Sequence, residues 1–105
     1  MKDNVVKDKS LEFAVRIVNL YKFLVNEQKE FVMSKQILRS GTSIGANIRE
    51  AEQAQSRADF INKLNIALKE ANETEYWLEL LIRTEYITRE QYESINNDST
   101  EINKL

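Results

Sequence analysis

Residues 40–51 read Ser-Gly-Thr-Ser-Ile-Gly-Ala-Asn-Ile-Arg-Glu-Ala, and they contain both glycines of the 105-residue chain, Gly41 and Gly45. Ile44 and Ile48 recur in the same stretch at a spacing of four, as on one face of an α-helix. Each glycine destabilises a helix interior by about 1 kcal/mol relative to alanine. A close approach of another backbone offsets such a cost. The stretch therefore predicts a helix that packs tightly against a neighbour.

Apolar residues recur at intervals of three and four along most of the chain, which contains no proline. This spacing predicts helices over about residues 8 or 10–26, 34–55 and 58–84. Ser56 lies at the break before the third helix and is a candidate N-cap.

Thr88 and Gln91 have the spacing of a capping box, which predicts the start of a fourth helix. Its apolar stripe is thin, and residues 96–100 are poor helix formers. We expect this helix to be short, frayed at its end, or ordered only against a neighbour. The predicted fold is all-α, an antiparallel up-down-up-down four-helix bundle. It forms a single domain over residues 1–105, with fraying expected at 1–8 and 97–105.

The third predicted helix has apolar residues on two faces. Its inward stripe consists of Phe60, Ile61, Leu64, Ala67, Leu68, Ala71, Leu78 and Ile82. The 100° step per residue then places Ile66, Tyr76, Trp77 and Leu80 sideways or outward. The fourth helix and the loops could cover Trp77 and Leu80 within one chain, but self-association is the common way to bury such a patch.

The two glycines of the second helix differ in position. Gly41 lies near the centre of its inward face and Gly45 at the edge, so we assign Gly41 to the bundle core and Gly45 to a second contact, between subunits. The predicted oligomer interface consists of Gly45, Ile66, Tyr76, Trp77 and Leu80.

Glu75 falls on the inward stripe of the third helix, where a carboxylate needs a charge partner or hydrogen bonds. A metal ligand or a general base is one interpretation. A structural ion pair with an arginine such as Arg39 or Arg49, or exposure at a helix end, is the interpretation that we favour.

The composition argues against catalysis and against cofactor binding. The chain has no histidine and no cysteine, so histidine bases, thiolate nucleophiles and ordinary zinc sites are absent. Carboxylates are numerous, but an all-carboxylate metal site in a bundle would be unusual. Ser40, Thr42 and Ser43 lack a partner base, and neither glycine belongs to a phosphate-binding loop. We expect no catalytic, cofactor-binding or metal-binding residues, no cofactor and no small-molecule substrate.

The charge is divided unevenly between the two halves of the chain. Residues 1–57 carry 10 basic and 7 acidic groups, and residues 58–105 carry 5 basic and 10 acidic groups. Such asymmetry fits a basic face for an anionic partner, or attraction between halves of a bundle or between subunits. No apolar run is long enough to span a membrane, and the polar start is unlike a signal peptide. We expect a cytoplasmic protein without a membrane partner.

Several segments carry a family resemblance: residues 36–40, 43–51, 58–60 and 64–71, followed by Glu75-Tyr76-Trp77-Leu78. Together they resemble the bacterial four-helix-bundle proteins encoded in intervening sequences of large-subunit ribosomal RNA genes, some of which are labelled ribosomal proteins. The resemblance covers roughly residues 8–88. The chain departs from the family pattern at Ala51, where many members have glycine, and around residues 28–31, where many have proline.

The resemblance implies a bundle that assembles into a ring-like homo-oligomer, commonly a pentamer. It also implies kinship with the accessory protein of retroelement reverse transcriptases that diversify genes. Our leading hypothesis is a non-enzymatic, homo-oligomeric scaffold. The alternative is an accessory factor that binds RNA or DNA, or a reverse transcriptase. Its candidate nucleic-acid contacts are Lys35, Arg39, Arg49 and Arg57, although this chain is net acidic.

Overall fold

Four α-helices make up the fold in a computed structural model that describes the backbone of residues 2–104 and the side chains of residues 5–103. They are α1 (Lys2–Asn26), α2 (Met33–Glu52), α3 (Arg57–Arg83) and α4 (Arg89–Lys104). Each helix contacts the next one along the chain and α4 contacts α1, which places α1 and α3 at opposite corners of a square. The prediction of an all-α, up-down four-helix bundle is confirmed. Of the predicted domain, Met1 and Leu105 lie outside the described residues.

The first helix begins earlier than the sequence predicted, at Lys2 instead of residue 8 or 10. Tertiary contacts explain the extra turns. Val6 packs against the core cluster, and Lys7 forms an ion pair with Glu52 of α2, with 3.7 Å between Nζ and Oε1. Packing of one face therefore extends the helix beyond the segment with good local propensity.

The fourth helix continues through residues 96–100 to Lys104, and of the three outcomes that the sequence left open, order against a neighbour fits best. Ser99 and Ile102 are buried. Arg16 of α1 pairs with Asp98 at 2.7 Å, and Lys9 of α1 pairs with Glu101. These contacts with α1 stabilise a segment whose own helix propensity is low.

Two residues with positive φ angles lie just beyond the ends of α1 and α3, where the chain has no glycine. Lys29 has φ 56° and Glu85 has φ 67°. The amide of Tyr86 donates to the carbonyl of Leu81 at 2.9 Å, as in a Schellman motif, in which glycine is the usual left-handed residue. The hydrogen bonds that reverse the chain thus stabilise left-handed backbone conformations. Such a conformation costs a non-glycine residue about 1–2 kcal/mol.

Side-chain caps start the later helices. Ser56 Oγ accepts from the amide of Asp59 at 3.1 Å, which confirms the predicted N-cap. The predicted capping box is also confirmed. The amide of Thr88 donates to Gln91 Oε1 at 2.8 Å, and the amide of Gln91 donates to Thr88 Oγ1 at 3.1 Å.

An unpredicted cap begins α2. The buried carboxylate of Glu30 accepts from the amides of Val32, Met33 and Ser34 at 3.1, 3.0 and 2.7 Å. A negative charge at this position also interacts favourably with the helix dipole. Glu30 therefore fixes the start of the helix that contains both glycines.

Both glycines of α2 face α1. A Cβ atom at Gly41 would lie 2.7 and 2.8 Å from Cγ1 and Cγ2 of Ile17, closer than carbon atoms can pack. A Cβ atom at Gly45 would lie 3.3 Å from Oγ and 3.4 Å from the carbonyl oxygen of the buried Ser10. The predicted close approach is therefore the contact between α1 and α2.

The N-terminal half of α3 is more exposed than predicted. Phe60, Ile61 and Leu68, all expected in the core, are 42%, 44% and 50% exposed. The reason is that α4 has 16 residues and α3 has 27, or about 24 and 40 Å at 1.5 Å per residue. Since α4 starts beside the end of α3, its last turn reaches only the middle of α3.

The contact between Gly41 and Ile17 gives a prediction for stability. Gly41→Ala should lower the free energy of unfolding by about 1–3 kcal/mol through overpacking, partly offset by the ~1 kcal/mol that alanine gains in a helix. Gly45→Ala is the matched control and should lose less, because its neighbours lie farther away. Urea denaturation followed by circular dichroism measures both. A Gly41→Ala variant more stable than wild type would contradict this packing.

Candidate functional site

The outward side of α3 carries the predicted interface residues other than Gly45. Tyr76 is 56% exposed, whereas Ile66, Trp77 and Leu80 are half-buried. The rings of Tyr76 and Trp77 meet edge to face, with centroids 5.1 Å apart and planes at 72°. Trp77 also packs against the core cluster. This surface thus has an exposed aromatic ring beside half-buried apolar side chains.

Gly45 does not belong to that surface. It is buried within the chain against Ser10 of α1, so no second subunit can reach it. The expected division between a core role for Gly41 and a subunit role for Gly45 is therefore wrong. The sequence placed Gly45 at the edge of the inward face, and that edge is covered by α1.

A polar network borders the aromatic pair. Trp77 Nε1 donates to Glu73 Oε2 at 3.1 Å, and the same oxygen accepts from the Arg39 guanidinium of α2. Arg39 also lies 3.4 Å from Glu70 Oε1. The hydrogen bonds from Trp77 and Arg39 lower the pKa of Glu73, and the bond to Glu73 raises the pKa of Arg39. Arg39, a predicted nucleic-acid contact, is thus engaged by two carboxylates.

The other predicted nucleic-acid contacts, Lys35, Arg49 and Arg57, are exposed. None of the three forms an ion pair within the part of the chain that the structure describes. Lys35 and Arg49 lie at opposite ends of α2, about 21 Å apart at 1.5 Å per residue. The fold therefore does not gather the four predicted cations into one compact patch.

Glu75 pairs with neither Arg39 nor Arg49, which corrects the favoured interpretation. Its Oε2 atom accepts from Ser99 Oγ at 3.1 Å and from Asn103 Nδ2 at 3.2 Å, both on α4. The half-buried carboxylate is satisfied by these two donors, and it fixes the position of the last turn of α4.

The buried polar contact between α2 and α3 involves Thr74 instead, one residue from the position that the sequence singled out. Thr74 and Ser40 are both fully buried. Thr74 Oγ1 donates to Ser40 Oγ at 2.9 Å and lies 2.8 Å from the carbonyl oxygen of Glu70. The sequence signal for this contact was Ser40 in the glycine stretch. The sequence did not indicate that Thr74 is its partner.

The hydroxyl groups considered as nucleophiles have structural partners. Besides the Ser40–Thr74 contact, Thr42 Oγ1 donates to the carbonyl of Leu38 at 2.7 Å, and Ser43 Oγ donates to the carbonyl of Arg39 at 2.6 Å.

Among the described side chains, no group of three or more acidic residues is arranged to hold a metal ion. None of the helices over residues 2–104 is long and apolar enough to cross a membrane.

A groove opens where α4 stops short of the start of α3. It has a volume of about 470 Å³ and is lined mostly by apolar side chains from all four helices. Val6, Ile48, Phe60, Leu64, Leu68 and Ile102 are among them, with Glu52 and Asn103 as the polar members. Sequence reasoning missed this groove, because the α3 stripe was expected to be covered along its whole length.

The fold and its surfaces define an all-α four-helix-bundle protein whose prominent features are apolar patches on and beside α3. Within that class, the chain belongs to the 23S rRNA-intervening sequence protein family, whose model matches residues 2–105.

A solved structure supports this membership. It is the 1.70 Å crystal structure of a protein with unknown function from the S23 ribosomal protein family of Bacteroides thetaiotaomicron VPI-5482. The two sequences are 98% identical, the TM-score is 0.94, and the match covers 99% of this chain and 90% of that chain. A comparison with curated proteins finds no match.

The lowered pKa of Glu73 predicts a pH dependence of stability. A carboxylate with a lowered pKa in the folded state stabilises the fold above its ordinary pKa of 4.5, and this contribution is lost as the pH falls through the folded value. Glu73→Gln should therefore be less stable than wild type at pH 7, and the difference should shrink below pH 4.5.

Urea denaturation at a series of pH values measures this difference. Repeating it in an Arg39→Met background is the control, because one of the two hydrogen bonds that lower the pKa of Glu73 is then removed and the effect should become smaller. A difference that stays constant from pH 7 down to pH 3 would contradict the role assigned to the Arg39–Glu73–Trp77 network.

Proposed function

We propose that this chain is a non-enzymatic, homo-oligomeric helical scaffold of its family, with a pentamer as the expected assembly. The observation that carries the proposal is the amount of apolar surface on one copy. Nine large apolar side chains are exposed among the described residues. Large apolar patches on soluble proteins commonly mark contacts with partners.

The distribution of charge supports self-association. The half that contains α1 and α2 is basic, and the half that contains α3 and α4 is acidic. Opposite charges favour contacts that bring unlike halves together, both within one copy, as in the ion pairs of Lys9, Arg16 and Arg39 with α3 and α4, and between copies. The polar side chains considered for catalysis hydrogen-bond within the fold, which supports a scaffold over an enzyme. The proposal includes a cytoplasmic location, as the sequence predicts.

Light scattering coupled to size-exclusion chromatography tests the proposal. Wild type at micromolar concentration should show a mass near five times 12.3 kDa. Tyr76→Arg, at the exposed position of the predicted interface, should lower that mass or make it dependent on concentration. Asn97→Arg places the same charge on an exposed position of α4 and should assemble as wild type does.

Two outcomes contradict parts of this proposal. A wild-type mass of 12.3 kDa at micromolar concentration would overturn the homo-oligomeric scaffold. Unchanged assembly of Tyr76→Arg would remove Tyr76 from the interface. Trp77→Ala is a less direct probe, because Trp77 packs against the core and its loss also weakens the fold.

A second candidate function is nucleic-acid binding as an accessory factor, to RNA or to a complex with a reverse transcriptase. The observation in its favour is that Lys35, Arg49 and Arg57 are exposed and carry no ion pair with the described residues. Cations in this state are available to phosphates. Arg39, which Glu70 and Glu73 engage, contributes less to this function.

Fluorescence anisotropy with a structured RNA, measured over a series of salt concentrations, tests this candidate. Affinity should fall steeply as salt rises, and Lys35→Ala or Arg49→Ala should reduce the logarithmic salt slope by about one unit each. Arg83→Ala, which removes a cation already paired with Glu79, is the control. No binding at low salt would overturn the candidate.

A further inference from the structure

Two adjacent apolar side chains are exposed at the end of the bundle where α1 leads into α2. Phe31 is 52% exposed and Val32 is 72% exposed, which is the largest exposed fraction among the large apolar side chains that the structure describes. Both lie just before the first residue of α2, and we call this pair the apolar tip. It belongs neither to the groove nor to the predicted oligomer interface.

Hydrogen bonds fix the backbone that carries the apolar tip. The amide of Glu30 donates to the carbonyl of Leu24 at 2.9 Å, and the buried Glu30 carboxylate accepts from three backbone amides at the start of α2. Gln28 Nε2 donates to the carbonyl of Tyr86 at 2.8 Å, which joins this loop to the α3–α4 connection. The aromatic ring of Phe31 is therefore presented from an ordered loop, and a ligand that binds it has little backbone to order.

Free lysines lie in the segments that meet at the apolar tip. Lys22 belongs to the last two turns of α1, Lys29 to the loop and Lys35 to the first turn of α2, and all three are exposed. None of them forms an ion pair with another described residue. The acidic residues between them are Glu27, which is exposed, and Glu30, which is buried in its cap. Residues 22–35 thus present an excess of free positive charge beside an exposed aromatic ring.

The α3–α4 connection at the same end of the bundle has the opposite character. Glu85 and Glu90 are exposed there, without an ion pair to any described residue. The two arginines of this region pair with acidic residues of their own helices. An anionic ligand is therefore favoured on the α1–α2 side of this end and disfavoured on the α3–α4 side.

The small size of the apolar tip selects among anionic ligands. A stable protein interface buries about 800 Å² on each partner, from about 20–30 residues, whereas the tip consists of two side chains. A single myristoyl chain gives only marginal binding to a bilayer, and the exposed parts of Phe31 and Val32 provide less apolar surface than such a chain. A single-stranded nucleic acid requires less, because one aromatic ring for a base and a few cations for phosphates make a contact.

We propose that the apolar tip and its lysines form a contact for a single-stranded nucleic acid. An unpaired base stacks on the ring of Phe31, and the phosphates on either side of that base interact with Lys29 and Lys35. This inference rests on nucleic-acid binding, the second candidate function, and it names the form of nucleic acid and the place of contact. Of the four cations predicted from the sequence, the contact includes Lys35.

Fluorescence anisotropy with a labelled RNA strand of twelve uridines at low salt tests the contact. Phe31→Ala should weaken binding by about tenfold, within the range that one stacked base contributes. Phe31→Tyr keeps an aromatic ring and should bind as wild type does. Phe60→Ala removes the other exposed phenylalanine of the described residues and is the matched control. Circular dichroism checks that the variants are folded, and a DNA strand of twelve thymidines shows which of the two nucleic acids binds more tightly.

The salt dependence and the strandedness of the RNA separate stacking from charge. Lys29→Gln and Lys35→Gln should each lower the logarithmic salt slope by about 0.7, the value for one phosphate of a single strand. Phe31→Ala should leave this slope unchanged, because it removes no charge. The same twelve uridines paired with twelve adenosines should bind more weakly than the single strand, since bases stacked within a duplex are not free to stack on a side chain.

The outcomes distinguish this inference from the candidate function on which it rests. If wild type binds neither the structured RNA nor the single strand at low salt, both are overturned. Binding that Phe31→Ala leaves unchanged, an equal loss in Phe60→Ala, or a duplex bound as tightly as the single strand overturns the stacking contact alone. Sedimentation with phosphatidylglycerol vesicles that Phe31→Ala abolishes, without binding to RNA, would assign the apolar tip to an anionic membrane instead and would also overturn it.

Discussion

The close approach of α1 and α2 at Gly41 is the constraint on which the rest of this bundle depends. The Ile17 side chain fills the space that a Cβ atom at Gly41 would occupy, so it packs directly on the backbone of α2. The same turn of α2 presents Ser40 to Thr74 of α3 on its other side. The Glu30 cap sets where α2 begins, and hence which residues reach these contacts. These contacts fix α2 between α1 and α3.

The fourth helix is held less firmly than the other three helices. Its position and length determine which apolar residues of the bundle are exposed. It is anchored by Glu75 to α3 and by ion pairs to α1. Because it is shorter than α3, apolar residues at the start of α3 stay exposed. Apolar surface at the start of α3 is therefore available to another molecule, and the homo-oligomer that we propose would bury it.

Much of the fold could be predicted from local signals. Three of these signals are the Ser56 cap, the capping box at Thr88 and the helical spacing of apolar residues. They depend on residues close together in the chain, so they can be recognised directly in the sequence. The length of α4 could not be predicted, because distant contacts stabilise a segment with low helix propensity. The surfaces were harder to predict: the buried polar contact involves Thr74 instead of Glu75, one residue away, and Gly45 lies against Ser10 of α1.

We propose that further copies of the chain cover the apolar surface beside α3. Small-angle X-ray scattering at micromolar concentration tests it most directly, because one copy has a radius of gyration of 14.0 Å over its Cα atoms and a longest dimension of 43 Å. The account predicts a clearly larger radius that stays constant on dilution through the micromolar range. A radius close to that of one copy at every concentration would contradict it.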